Sequence, residues 1–218
     1  MEVSLGNTLV VPERHSRAAS YWFSQAGCHL IDLVICAYVD PSMDPSWHFG
    51  PNERYFANFM LQLVRPQAER IRRLCLAFRD LYDICCLLQY QDDKDALPHH
   101  VWSFPNLEYL TLNLDPDYCV AGAELIALES MPRLHTVVLY YAILSNELNI
   151  HLPWSQLTSL TICTLRESVF RVLMTQCPAL ENGCFSIGDS KFEELPTIDI
   201  TLTRLTTFNI QFDGASDP

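Results

Sequence analysis

The chain has 218 residues, 49% of them apolar, which suffices for one sizeable core and argues against disorder. Fourteen Lys and Arg stand against 26 Asp and Glu, a formal net charge of -12 that repels phosphate backbones and excludes nucleic acid as a partner. The same charge attracts a basic protein surface, or simply keeps the chain in solution.

Nine cysteines form an odd set, and Cys85 and Cys86 are adjacent, so a disulfide framework is a poor fit. Cys36, Cys75 and Cys163 interleave with Leu, Ile and Val as small buried hydrophobes do, which fits a reducing compartment. The sequence shows no signal-peptide pattern, no run of about eighteen apolar residues and no Asn-x-Ser/Thr sequon. The expectation is an intracellular protein, cytoplasmic or nuclear, with no membrane segment.

Residues 1–19 read as a partly disordered N-terminal extension, 20–213 as one repeat domain and 214–218 as a tail. Within the domain the pattern apolar-x-x-apolar-x-apolar recurs seven times, as Leu30/Leu33/Ile35, Ile71/Leu74/Leu76, Leu107/Leu110/Leu112, Leu134/Val137/Leu139, Leu157/Leu160/Ile162, Leu180/Gly183/Phe185 and Leu205/Phe208/Ile210. The last five copies start about 27, 23, 23 and 25 residues apart, inside the range of roughly 20–29 for leucine-rich repeats. Pro105, Pro132 and Pro178 each stand two residues before a copy, putting a residue without an amide donor just ahead of a strand. Between copies, Tyr55 to Leu63, Val120 to Leu128 and Val169 to Met174 carry helical spacing, whereas Gln91 to Asp95 reads as a charged loop.

These features predict an α/β fold, an irregular leucine-rich-repeat solenoid with short parallel strands on the concave face and helices on the convex face. An ordinary α/β domain with short parallel strands shares the same alternation. A single unit cannot bury its apolar side, so stacked units pool one core, each buried Leu or Ile contributing about 1.5–3 kcal/mol.

Chemical motifs are missing. There is no Gly-x-Ser-x-Gly, phosphate loop, Gly-x-Gly-x-x-Gly, His-Glu-x-x-His or Cys-x-x-Cys, and His99-His100 sits in a polar loop beside Pro98. Asn113-x-Asp115-x-Asp117 with Glu124 imitates a calcium loop, but Tyr118 stands where a Gly is needed and Pro116 adds strain. No cofactor or metal and no enzymatic activity are expected; an enzyme would need a deep pocket with converging His, Asp or Cys groups.

Strand alternation directs the residues between the apolar positions away from the core. Arg73, Tyr109, Thr111, Thr136, Val138, Tyr140, Ser159, Thr161, Asn182, Thr207 and Asn209 therefore form the candidate protein-binding face, in company with Asp32, Val34 and Cys75. Tyr109 and Tyr140 are its natural anchors.

From Trp22 onward, Tyr21-Trp22-Phe23-Ser24-Gln25-Ala26-Gly27-Cys28-His29-Leu30, Pro153-Trp154-Ser155-Gln156-Leu157-Thr158-Ser159-Leu160-Thr161-Ile162 and Leu173 to Leu180 resemble the repeat region of F-box and leucine-rich-repeat proteins of mushroom-forming fungi. The resemblance implies a substrate receptor whose F-box docks a Skp1-type adaptor of a cullin ubiquitin ligase while the repeats hold the target. Residues 1–19 supply no F-box, so that adaptor is expected only with an F-box upstream; the alternative is a truncated or degenerate copy that recruits no ligase. The Asn or Cys that usually follows each strand is replaced by Asp115, Ala142, Leu165 and Gly188, which predicts an irregular solenoid. The partner is a protein of unspecified identity, and the chain itself is expected to be a monomer.

Overall fold

A computed structural model of the chain describes residues 20–36, 64–78, 103–114, 126–127, 130–140, 150–188 and 200–212. The expected extension and tail, the helix at Tyr55 to Leu63, the loop at Gln91 to Asp95 and His99-His100 lie outside them. The strands are β1 (Ile31–Cys36), β2 (Ile71–Phe78), β3 (Tyr109–Leu114), β4 (Ile126–Ala127), β5 (Thr136–Tyr140), β6 (Ile150–His151), β7 (Ser159–Leu165), β8 (Asn182–Ile187) and β9 (Thr207–Phe212). Seven form one open, all-parallel sheet in the order β1-β2-β3-β5-β7-β8-β9, so each repeat copy supplies one strand and neighbours in sequence are neighbours in space. β4 and β6 pair separately. Ile126 and Ala127 are therefore in a ladder and not in the helix expected over Val120 to Leu128, whose other residues lie outside the described ones.

One face of the large sheet carries the core. Leu74, Leu110, Val137 and Leu160 line up across β2, β3, β5 and β7, with Leu76, Leu112, Leu139 and Ile162 two residues further along, all buried. The register also corrects the first copy. Ile31, not Leu30, pairs with Ile71, because Arg72 is an extra residue that bulges β2, and Leu30 is left 45% exposed.

Ahead of six strands lies another apolar position that the hexapeptide omits. Ala68, Phe104, Met131, Trp154, Cys177 and Leu202 each stand three residues before the first apolar residue of a copy, and five of them are buried. Their carbonyls accept the amides of Ile71, Leu107, Leu134, Leu157, Leu180 and Leu205, closing a tight turn each time. Pro105, Pro132 and Pro178 are the second residues of three of these turns, where a fixed φ is favoured. Each turn thus tucks one more side chain into the core before the strand starts.

Helix α1 (Glu167–Gln176) spans the periodic stretch around Val169 and turns Val169, Leu173 and Met174 inward, while Val172 faces out. Glu167 and Arg171, one turn apart at 2.6 Å, brace its outer side. At the other end of the sheet a short helical stretch, 20–25, buries Phe23 beside Ile31 and Leu33 in the same core cluster. Gly27, at φ 55, turns the chain out of it, and Arg70 donates to the carbonyls of Phe23 and His29.

The irregularity expected at the strand ends takes a specific form between β7 and β8. Thr164 adopts φ 73, an extra residue that bulges β7 between Ile162 and Leu165. The Gly188 amide, at the position where a ladder Asn would stand, donates instead to the Leu165 carbonyl at 3.2 Å. A Cβ on Gly188 would come within 3.2 Å of the Thr164 methyl, a tight contact with the bulge residue. The Asn113 half of the calcium-like motif lies inside β3, paired with Ala77 and Tyr140, and is not a loop ligand.

Candidate protein-binding face

The face opposite the core is organised by register. Asp32, Arg73, Tyr109, Thr136, Ser159, Asn182 and Thr207 occupy one continuous row across all seven strands. Val34, Cys75, Thr111, Val138, Thr161, Cys184 and Asn209 occupy the next row, and Tyr140 stands in a third beside Asn113 and Cys163. All eleven residues expected on this face are therefore brought onto it. At an inter-strand spacing of about 4.8 Å, six intervals make the first row roughly 29 Å long.

The two rows differ in access. From Arg73 to Thr207 the first row is half-buried or exposed throughout. In the second row Thr111 (7% exposed) and Val138 are buried, the least accessible of the eleven residues expected on this face. They are neighbours at the sheet centre, flanked by Cys75 and Thr161 in the row and by Tyr109, Asn113, Thr136 and Tyr140 along their strands. Cys75, expected on this face, and Cys163, read as an apolar-like position, are both half-buried on it; among the described cysteines Cys177 has the buried thiol, pushed up to about 12 by desolvation.

Among the described residues, charge in these rows is confined to β1 and β2. Arg72, brought there by the bulge, holds Asp32 through two bonds of 3.1 and 2.9 Å, a pairing that raises the guanidinium above its ordinary value. Arg73 lies 3.9 Å from the same carboxylate and stacks over the Tyr109 ring at 5.6 Å from its centroid. Beyond Tyr109 the rows carry hydroxyls, amides and thiols, Val138 apart. Sequence reasoning placed Arg73 and Tyr109 here but missed Arg72, because only the register reveals the extra residue.

The motif around Trp154 proves to be a strut of the sheet. Gln156 Nε2 donates to the carbonyls of Met131 and Leu134 at 2.7 and 2.8 Å, linking one repeat to the one before it, and Asn106 Nδ2 donates to the Glu69 carbonyl at 2.6 Å in the equivalent position. The described residues include eight arginines, no lysine and five carboxylates, so the acidity of the chain resides outside them. The net charge therefore gives no reason to expect a basic partner at this face. Among the described residues there is no group of three His, Cys, Asp or Glu side chains able to hold a metal, and no helix long and apolar enough to cross a membrane.

No family model, curated protein or solved structure shows significant similarity to this chain. The resemblance to F-box proteins rests on the sequence motifs alone.

Proposed function

We propose that the chain is a leucine-rich-repeat solenoid acting as a non-enzymatic protein-binding module, with the row from Arg73 to Thr207 as its contact surface. The observation that carries this reading is the unbroken row itself: from Arg73 to Thr207, six parallel strands present one accessible, mostly uncharged polar side chain each, in register, over roughly 24 Å. Such a surface suits a folded or extended polypeptide, with the Arg73–Tyr109 stack as the anchor at one end and Tyr140, 42% exposed, beside the centre.

Paired substitution of Tyr109→Ala and Tyr140→Ala tests it. Partners captured by the intact chain should bind about tenfold or more weakly to the variant, while its melting temperature stays within a few degrees. Unchanged partner affinity would refute the assignment of this face. The more specific form, substrate recognition for a cullin ligase, requires an F-box and predicts co-purification of a Skp1-type adaptor with a longer chain that contains one.

A further inference from the structure

The two edges of the seven-stranded sheet are finished differently. At the β1 edge the core side of the strand is closed, with Ile31 and Leu33 buried together with Phe23. At the β9 edge the core side is open: Phe208 is 43% and Phe212 73% exposed, and Ile210 is only half-buried. Among the described residues no strand pairs with the outer side of β9. The strand Thr207-Phe208-Asn209-Ile210-Gln211-Phe212 contains no charged residue, no Pro and no bulge, the devices that ordinarily keep an edge from pairing.

We propose that β9 is a self-association edge, which pairs antiparallel with β9 of a second copy to join two sheets about a two-fold axis at Ile210. The strand is complementary to itself in that register. Residues directly opposite in an antiparallel pair share a face. Ile210 then meets Ile210, Phe208 meets Phe212 on the core side, and Asn209 meets Gln211 on the other side, so no like charges oppose and no apolar residue faces a polar one. A head-to-tail contact of β9 with β1 lacks this match, because the core side of β1 is already covered by Phe23 and its open side carries the Asp32–Arg72 pair. The contact adjoins the proposed binding row at its Thr207 end and replaces the monomer expected from the sequence. One strand pair with two Phe contacts is smaller than the roughly 1,200 Å² of a firm complex, so the dimer is weak, with a Kd on the order of micromolar.

Sedimentation velocity of the full chain across a concentration series, at low salt, tests this. The expected result is a reversible monomer–dimer equilibrium that Phe212→Lys weakens about tenfold or more and Val172→Lys, on the exposed side of α1, leaves unchanged. Register is tested at two exposed positions: Asn209→Lys with Gln211→Lys sets like charges face to face and should dissociate the dimer, whereas Asn209→Lys with Gln211→Glu should preserve it. A monomer at every concentration, a dimer indifferent to Phe212→Lys, the same affinity for both charge pairs, or open-ended growth from a head-to-tail contact would each overturn the proposal.

Discussion

Replacing Gly183 with Ala would place a Cβ 2.6 Å from Phe185 Cε2, 3.3 Å from Phe185 Cζ and 3.1 Å from Phe208 Cδ2. Carbon atoms settle at about 3.5–4.0 Å, so the Phe185 ring has to move. It has little room: the ring is buried, with Phe170 edge-on at 5.1 Å and Phe208 at 5.7 Å. Overpacking of this kind costs about 1–3 kcal/mol, offset by about 0.4–1 kcal/mol from the stiffer unfolded chain. A net loss of about 1–2 kcal/mol lowers the melting temperature by roughly 2–8 °C in a domain of this size. Thermal or urea unfolding followed by circular dichroism measures it, in the parent chain and in a Phe185→Leu background. There the ring is gone, and Gly183→Ala should become neutral or stabilising. An equal cost in both backgrounds would refute the reading that the Phe185 ring occupies the space beside Gly183.

Four further outcomes follow from the geometry. Gln156→Glu keeps the shape of the strut but turns a donor into a carboxylate facing two carbonyls; it should cost about 1–3 kcal/mol near neutral pH. Because the folded state then favours the protonated carboxyl, the variant should recover stability as pH falls toward about 4, the range in which the unfolded carboxyl also protonates, as equilibrium unfolding at pH 7 and pH 4 will show. Thr164→Gly relieves a β-branched residue held at φ 73 and should be neutral or stabilising by up to about 1 kcal/mol, while Thr164→Val gains nothing in the same melting assay. Cys177, with its thiol raised from 9.0 to about 12 by burial, stays protonated when folded while the unfolded chain ionises. Its contribution is complete below pH 9 and declines at about 1.4 kcal/mol per pH unit from there toward 12, a slope missing from Cys177→Ala in alkaline unfolding. In the native chain Cys184, which is exposed, should alkylate far faster than Cys177.

Much of the sheet is legible in the sequence because its unit is local. An apolar residue followed by gaps of three and two, as in Leu134/Val137/Leu139, describes a turn leading into a strand whose alternate side chains face one way. Repetition then implies stacking, since no unit closes a core alone. Helix α1 was readable for the same reason, with Val169, Leu173 and Met174 on one side and Pro178 as its boundary. The turn residues Phe104, Met131 and Trp154 were equally present in the sequence, but a pattern anchored on the strand stops short of them.

What the sequence by itself determined is the spacing: which residues enter strands, which face the interior, and that Arg73, Tyr109, Thr136, Ser159, Asn182 and Thr207 lie on the opposite side. Only the tertiary structure decided how neighbouring strands slide against one another. The Arg72 bulge moves Ile31 into the place assigned to Leu30, Thr164 displaces the ladder at Gly188, and Phe185 closes the gap at Gly183. It also decided access, burying Thr111 and Val138 at the sheet centre while leaving β9 open at its edge. Register and access depend on residues from different strands meeting, and no single strand carries that information.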